Sequence, residues 1–266
     1  MTCAERQIIL THPGQHSSIM ANRRLRFLAV LMVLFLLAPP APARAPLKLV
    51  ANYWGPYSEN GLPGQGSASQ LVSQLLAEAG YDASIDIVPW PRALNMTYVG
   101  QADGIVAIWS TAERREKVLF SEPYMVNRIS LLHRKGALAQ VKTLADLKGL
   151  KIGVGRGYDY SPEFLAATGF HKDAAVDTLV NLKKLLAGRV DAILEDEVIV
   201  DYYRSKYGGQ LPGADQLEFS PTPLMELPLH FGISQLRPDA EQIIAHFNAA
   251  LRNWRAQQKH SASRKP

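Results

Sequence analysis

From residue 47 to the C-terminal region, short β-type runs alternate with amphipathic helical runs, and this alternation constrains the fold more than any other feature. Residues 47–50 and 105–108 are apolar runs typical of buried strands. Residues 67–79 and 238–257 instead carry apolar side chains at helical spacing. Strands alternating with helices predict an α/β architecture with mainly parallel sheets.

The same periodicities predict further strands and helices in the rest of this region. Further strands are expected at residues 83–87, 151–154, 192–194 and 229–233. Further helices are expected at residues 91–99, 111–117, 143–146, 161–167, 181–187 and 196–205. Glycine-rich and polar stretches at 58–66 and 208–213 are typical of loops. The folded part is therefore expected to begin at residue 46.

Residues 1–45 carry a different pattern. Arginines within residues 23–26 precede an apolar run at 27–38, and prolines and small residues follow it. This order is typical of a secretory signal peptide, with cleavage expected after Ala43 or Ala45. The apolar run is shorter than the ~20 residues that span a bilayer. A helix that stays in place as an anchor is the alternative, and Met20 is an alternative start.

Charge and cysteine content follow from that N-terminal segment. The formal net charge is +5 and the pI about 9.3. Residues 1–45 hold five arginines against one acidic residue, so the remainder is close to neutral and offers no basic footprint for nucleic acid. Cys3 is the sole cysteine. A chain cleaved as expected has no disulfide and no cysteine for lipid attachment, which predicts a soluble protein exported to the periplasm.

Four segments carry a family resemblance. Residues 111–124 (TAERREKVLFSEPY) are similar to the pattern T-x-x-R…F-S-[DE]-P-Y. Residues 90–93 (WPRA), 143–154 (TLADLKGLKIGV) and 188–196 (GRVDAILED) are similar to W-x-R-A, T-L-x-D-L-K-G-x-x-[IV]-G-V and G-x-[IV]-D-A-[IV]-x-x-D. In this order, the set resembles the extracellular solute-binding proteins of family 3, which include polar amino-acid receptors of ABC importers.

The resemblance implies a two-lobed, type II periplasmic-binding-protein-like fold with two crossing segments between the lobes. These are expected near residues 128–134 and 224–230. Lobe 1 would comprise residues 46–132 and 228–266, ending in a frayed polar tail, and lobe 2 would comprise residues 133–227. Ligand would lie at the strand ends between the lobes. The protein is expected to be a monomer.

Arg114 matches the family arginine that pairs with a ligand α-carboxylate. A guanidinium offers a carboxylate two parallel donors and stays charged at any relevant pH. The alternative is a solvated arginine on a helix face, as expected for Arg115. Asp196 matches the carboxylate that faces the ligand ammonium from lobe 2. Its alternative role is a helix N-cap, and both roles are compatible.

Trp54 stands at the family's aromatic platform position, flanked by Tyr53 and Tyr57. Such a ring covers an aliphatic or cationic part of a ligand. A core aromatic is the alternative explanation for Trp54.

Several positions depart from the family pattern. Trp109 replaces a small polar residue that helps to hold the ammonium, and residues 64–69 lack the usual acidic run. Gly157, Tyr158 and Asp159 replace a G-T-T turn that meets the carboxylate. The amides of Gly157 and Tyr158 are expected either to receive a ligand oxygen or to form a plain tight turn. An Asp159 close to the carboxylate subsite would repel an anion, so the pocket is predicted to differ from that of ordinary amino-acid receptors.

Other chemistries find little support. Residues 153–157 have the spacing G-x-G-x-G, and Tyr158 stands where a dinucleotide fingerprint needs its third glycine. No cofactor or metal is expected. The histidines that could ligate a metal lack close His or Cys partners. They are His133, His171, His230 and His246. We therefore expect a non-enzymatic receptor for a small, polar, carboxylate-bearing and amino-acid-like ligand, serving an ABC importer. The alternatives are a periplasmic sensory partner and an enzyme resembling the cyclohexadienyl dehydratases.

Overall fold

The structure is a computed structural model that describes residues 46–138 and 140–262. The predictions for the signal peptide, its cleavage sites and Cys3, and for the last four residues of the tail, lie outside the described residues. In the part of the chain that is described, no helix combines the length and apolar character needed to cross a bilayer.

Strands and helices alternate through most of the described chain. The strands are β1 (Leu47–Ala51), β2 (Ala83–Ile87), β3 (Gly104–Trp109), β4 (Val118–Phe120), β5 (Met125–Arg134), β6 (Lys151–Gly155), β7 (His171–Ala175), β8 (Ala192–Asp196), β9 (Leu217–Phe219) and β10 (Met225–Ser234). The helices are α1 (Ser67–Glu78), α2 (Trp90–Tyr98), α3 (Ala112–Arg115), α4 (Pro162–Ala166), α5 (Thr178–Leu186), α6 (Glu197–Tyr207) and α7 (Ala240–Ala262). The α/β prediction is confirmed.

The strands form one continuous sheet in the order β2-β1-β3-β10-β5-β8-β6-β7, with β4 also paired to β10 and β9 to β5. Pairing is parallel within β2-β1-β3 and within β8-β6-β7, as the alternation predicts. The two central strands, β10 and β5, are antiparallel to their neighbours. Two parallel half-sheets are therefore joined through an antiparallel pair.

Strands β5 and β10 each pass from one half of the sheet to the other. The first half of β10 pairs with β5, from Met225 opposite Ile129, and its second half pairs with β3 and β4. The second half of β5 pairs with β8 and β9. These strands are the two crossing segments predicted near 128–134 and 224–230. We call the half with β1 to β4 lobe 1 and the half with β6 to β9 lobe 2; the boundaries expected at 132/133 and 227/228 fall inside the crossing strands and stay predictions.

Helices cover the sheet of each lobe and bury its apolar side chains. In lobe 1, α1 packs against α7, β2 and β3, while α2 packs against β1 and β3. In lobe 2, α5 packs against β6 and β8, and α6 against β8. Strands β3, β8 and β10 supply fully buried side chains to these cores, including Ile105, Ile193 and Phe231. This burial fixes the strands and hence the loops that leave their carboxyl ends.

Some element boundaries differ from the predictions. Strand β5 was expected only as a crossing segment, and β4, β7 and β9 were not predicted, because β4 and β9 have three residues each and β7 (HKDAA) is a largely exposed edge strand without apolar alternation. Helix α5 begins three residues earlier than predicted, because the side chain of Asp177 caps it. Helix α3 is shorter than the predicted 111–117, because Thr111 is its N-cap and Glu116 its C-cap.

The C-terminal helix also differs from expectation. It was predicted at residues 238–257 with Pro238 in its first turn, but α7 begins at Ala240 and continues to Ala262. The helix thus extends five residues beyond the predicted end at 257 and includes Ser261 and Ala262, where the polar tail was expected to begin. No glycine or proline interrupts these residues, so the helix continues although its last turns are exposed.

Candidate ligand-binding site

The carboxyl ends of four parallel strands, two from each lobe, meet at one cleft. Strand β1 leads to Asn52 and Trp54, and β3 ends at Trp109. From lobe 2, β6 leads to Tyr158 and β8 ends at Asp196. Asn52 and Trp54 both contact Tyr158, so loops more than a hundred residues apart in sequence face each other. The expected location of the site at the strand ends between the lobes agrees with this geometry.

The ring of Tyr158 stands at the centre of an aromatic box formed by Trp54, Trp90, Trp109 and Tyr160. Its centroid lies 6.3 Å from Trp54, 6.0 Å from Trp90 and 5.4 Å from Trp109, and the three ring pairs are nearly perpendicular. Tyr160 is 6.1 Å away. Edge-to-face contacts of this kind are favourable for aromatic pairs. A lobe 2 side chain therefore fills a box whose tryptophans all come from lobe 1.

The turn after β6 is built to place this ring. Gly157 has φ +72°, in the left-handed region that glycine adopts without strain. The ring folds back over Gly155, where a Cβ atom would lie 2.7 Å from it. The amide of Tyr158 donates to the carbonyl of Gly155 at 3.2 Å, so the tight-turn alternative is correct for that amide. The hydroxyl accepts from Nδ2 of Asn52 at 3.2 Å, and burial raises the pKa of Tyr158.

Arg114 is buried in the cleft with 1% of its surface exposed, which overturns the alternative of a solvated helix-face arginine. Its Nη1 donates to the carbonyl of Trp109 at 2.8 Å, and its Nη2 lies 2.9 Å from Oδ2 of Asp159. The guanidinium carbon stands 5.0 Å above the ring of Trp90. Burial lowers the pKa of Arg114, and the charge of Asp159 opposes that effect. A lobe 1 cation is thus paired with a lobe 2 carboxylate across the cleft.

Asp196 caps α6, as the N-cap alternative predicted. Its Oδ1 accepts from the amide of Val198 at 2.9 Å. Its Oδ2 accepts from the hydroxyl of Tyr57 at 3.2 Å and from Nδ2 of Asn127 at 3.0 Å. Burial and the charge of Asp196 together raise the pKa of Tyr57. A role for Asp196 toward a ligand ammonium stays a prediction.

Glu195 adds a second buried carboxyl group next to Asp196. Its Oε2 accepts from the hydroxyl of Thr178 at 2.6 Å, and its Oε1 accepts from the amide of Asp196 at 3.1 Å. Burial raises the pKa of Glu195 to about 7, although the hydrogen bond from Thr178 acts in the opposite direction. The lobe 2 side of the cleft is therefore acidic.

The two remaining predicted aromatic residues, Trp54 and Trp109, are buried and line the cleft. Trp54 contacts Tyr57 at 5.0 Å and Trp109 at 5.8 Å between ring centroids. Trp109 donates from Nε1 to Oδ1 of Asn127 at 2.9 Å. The core and platform explanations for Trp54 are compatible, because its ring belongs to the core and also borders the cleft. Tyr53, by contrast, is exposed.

Sequence reasoning did not assign several cleft residues. Trp90 donates from Nε1 to the carbonyl of Gly157 at 2.8 Å, and its W-P-R-A motif was the available signal. The hydroxyl of Tyr160 accepts from the amide of Gly155 at 2.9 Å. Asn52 had no sequence signal beyond its place after a strand. Among residues 46–138 and 140–262, no cluster of His, Cys, Asp or Glu is arranged to hold a metal ion.

Two cavities border this arrangement. The aromatic box retains about 20 Å³ beside Tyr158, room for about one water molecule. A groove of about 620 Å³ is lined by Asp159 and by residues of both lobes that include Thr111, Tyr160 and His230. Its volume is in the range of small-molecule sites, roughly 300–1,000 Å³.

Comparison with known proteins gives a family match and a partial relative. The family model of the bacterial extracellular solute-binding proteins, family 3, matches residues 50–265. The L-cystine-binding protein TcyJ of Escherichia coli (strain K12) is 32% identical over 148 residues, which cover 54% of this chain and 55% of that protein. The chain therefore spans about half the length of the curated relative that it matches.

Solved structures share the fold at low sequence identity. The P235GK mutant of ArgBP from T. maritima has a TM-score of 0.67 and 20% identity, covering 82% of this chain and 93% of that one. A histidine kinase sensor domain with similarity to periplasmic binding proteins has a TM-score of 0.69 and 18% identity, covering 84% and 95%. The substrate-binding protein of an amino-acid ABC transporter has a TM-score of 0.65 and 14% identity, covering 82% and 96%. These likenesses establish the two-lobed type II fold.

Proposed function

Since the chain belongs to family 3 of the bacterial extracellular solute-binding proteins, we propose that it captures a small amino-acid-like carboxylate in the periplasm for an ABC importer. The observation that carries this proposal is Arg114, a buried guanidinium between the strand ends of two lobes that already holds a carboxylate at 2.9 Å. A buried and charged donor pair is suited to carboxylate recognition, because little water competes for it.

Both lobes would contribute to binding. From lobe 1, Arg114 would bind the carboxylate, and Trp54 and Trp109 would cover the rest of the ligand. From lobe 2, Asp196 would face an ammonium, and the Gly157–Asp159 turn would close over the site. A ligand that contacts both lobes would add interactions that favour the closed arrangement, and a partner could recognise that arrangement.

The relatives support an amino-acid-like ligand without naming it. TcyJ is an L-cystine-binding protein and ArgBP has an arginine-bound form, so binders of quite different amino acids share this family or fold. The cleft of this chain has its own composition, with three tryptophans around Tyr158. The ligand therefore has to be found by measurement.

Isothermal titration calorimetry with a panel of L-amino acids, including L-cystine and L-arginine, tests the proposal. We expect one class to bind the wild type, and Arg114→Ala to lose at least about a hundredfold in affinity, because a buried charged pair is lost. Arg115→Ala is the matched control, since Arg115 is the next residue, is exposed, and donates from Nε to the hydroxyl of Ser110. Undiminished binding by Arg114→Ala would refute the carboxylate clamp.

Tests for turnover and for binding partners distinguish the importer receptor from the enzyme and sensor alternatives. Mass spectrometry of the ligand after prolonged incubation should find it unchanged, and a product from prephenate or arogenate would instead indicate the enzyme alternative. The sensor alternative is favoured by the likeness to a histidine kinase sensor domain. Crosslinking of the ligand-loaded protein in cells should recover importer membrane subunits; recovery of a histidine kinase alone would favour the sensor.

A further inference from the structure

Two adjacent side chains of lobe 2 occupy the positions in which the cleft would hold a ligand. The ring of Tyr158 fills the aromatic box, and the carboxylate of Asp159 lies on Arg114. Together they present one aromatic ring and one carboxylate within the span of two neighbouring residues. With the box reduced to about 20 Å³, no amino acid fits beside them.

We propose that Tyr158 and Asp159 are a tethered surrogate for the ligand, and that the ligand is an aromatic carboxylate of amino-acid size that binds by displacing both side chains. This inference rests on the proposed function of the cleft. It makes Tyr158 and Asp159 the residues that set affinity and ligand class.

The ion pair is asymmetric in a way that permits displacement. Arg114 is fixed by the carbonyl of Trp109 and by the ring of Trp90, whereas the Asp159 side chain is 36% exposed. Arg114 is the one ion-pair partner of Asp159 within residues 46–138 and 140–262. In the same part of the chain, the buried Nε of Arg114 has no hydrogen-bond partner. A free carboxylate can engage Nε and Nη2 together and so bind better than Asp159 does.

The box itself favours a ring over an aliphatic chain. Three tryptophans meet the Tyr158 ring nearly at right angles, with interplanar angles of 77° to 87°. A second aromatic ring can restore these edge-to-face contacts, and an aliphatic side chain cannot. Asn52 donates to the tyrosine hydroxyl at 3.2 Å, and the same donor would serve a polar substituent on the ligand ring.

The surrogate can leave without disrupting the sheet. Residues 156–161 belong to no strand or helix, and the Tyr158 amide is held by one 3.2 Å hydrogen bond to Gly155. The groove of about 620 Å³ borders Asp159 and offers space on that side of the turn. Displacement weakens apparent affinity, because only the fraction of molecules with an unoccupied cleft binds ligand.

Calorimetry on purified full-length protein tests the inference with L-phenylalanine, L-phenylalaninamide and L-glutamate as probes. We expect Tyr158→Ala and Asp159→Asn each to bind L-phenylalanine about tenfold more tightly than the wild type, because a competing occupant is removed. A tyrosine that merely lined the pocket would give the opposite sign for Tyr158→Ala. L-phenylalaninamide, which lacks the carboxylate, and L-glutamate, which lacks the ring, should bind at least about tenfold more weakly than L-phenylalanine.

A second variant and a matched control show whether a change in affinity arises from the Tyr158 ring or from any substitution in this turn. Gly155→Ala keeps Tyr158 but places a Cβ atom 2.7 Å from its ring, so it should expel the ring and tighten binding of L-phenylalanine as well. Arg156→Ala changes an exposed side chain of the same turn and should leave affinity unchanged. Tryptophan fluorescence should change in Gly155→Ala and Tyr158→Ala before any probe is added.

The outcomes separate this inference from the function on which it rests. Wild-type binding of L-phenylalanine with equal or weaker binding by Tyr158→Ala and Gly155→Ala would overturn the surrogate and leave the receptor standing. Binding of L-glutamate as tight as that of L-phenylalanine would overturn the aromatic ligand class. If neither the wild type nor any variant bound an amino acid, the proposed function would fail as well.

Discussion

The guanidinium of Arg114 and the carboxyl group of Glu195 place opposite charges in one cleft. Arg114 belongs to lobe 1 and is balanced by Asp159. Glu195 belongs to lobe 2 and is held by hydrogen bonds from Thr178 and from the amide of Asp196. Burial destabilises a charged group in each case, and only the arginine has an ion-pair partner of opposite sign in the described part of the chain. Glu195 therefore carries a measurable pH signature.

We expect the stability of the wild type to fall between about pH 4.5 and 7, because burial raises the pKa of Glu195 from 4.5 to about 7 in the folded protein. In that range the folded state holds a proton that the unfolded state has lost, so unfolding becomes easier as pH rises. The loss amounts to about 3 kcal/mol and is complete above pH 7. Glu195→Gln should abolish this part of the pH dependence.

Urea denaturation of both proteins from pH 4.5 to 8 measures the effect. The free energies of unfolding should be similar at the acidic end, and the glutamine variant should be more stable at pH 8. Parallel curves across the range would contradict a raised pKa for Glu195.

Helix caps at the strand ends of lobe 2 connect element stability to the cleft. Asp177 caps α5 by accepting from the amide of Val180 at 2.8 Å. Asp196 caps α6 and also accepts from Tyr57 of lobe 1 and from Asn127 of β5. Both caps are aspartate side chains that accept from a helix amide. The side chain of Asp196 accepts in addition from two residues outside its helix.

Asp177→Ala should lower the free energy of unfolding by about 1 kcal/mol, the usual value of an N-cap. Asp196→Ala should cost roughly 3 kcal/mol, because it also leaves the polar groups of Tyr57 and Asn127 without their acceptor. Asp196→Asn should recover the cap contribution. Urea denaturation measures all three variants, and equal losses for the two alanine variants would show that the contacts of Asp196 beyond its cap add nothing.

Contacts outside the aromatic box also join the two lobes. Lys206 of α6 lies 3.5 Å from Glu59 of the loop after β1. Nearby, the ring of Tyr202 packs so closely on Gly55 that a Cβ atom there would lie 2.1 Å from it. The Arg114–Asp159 pair and the Lys206–Glu59 pair thus each join a residue of lobe 1 to a residue of lobe 2.

Lys206→Met should accelerate ligand dissociation by up to about fivefold with little change in the association rate, because it removes one partly exposed ion pair, worth up to ~1 kcal/mol, from the closed molecule alone. Stopped-flow tryptophan fluorescence with the identified ligand measures both rates. Lys183→Met is the control, since Lys183 contacts Gln210 within lobe 2. An unchanged dissociation rate in Lys206→Met would exclude this pair from lobe closure.

Most of the fold could be predicted from the sequence, because periodicity and capping are local properties. The strands β1, β2, β3, β6, β8 and β10 and the order of the main helices follow from runs of apolar residues and their flanking turns. The short strands β4 and β9 could not be predicted, since three residues carry no period. The end of α7 was misplaced because a polar exposed helix and a polar coil have similar compositions.

The periodicity of the sequence determined the alternation of strands and helices, and the family resemblance of four segments implied the two lobes, the crossing segments and the candidate residues Arg114, Trp54 and Asp196. Only the tertiary structure decided that Asp159 is the partner of Arg114 and that Tyr158 fills a box of tryptophans that includes Trp90. The physical reason is the range of the contacts. Strand periodicity arises between neighbours in sequence, whereas these contacts join residues 45 to 104 positions apart and exist only where the loops of the two half-sheets meet.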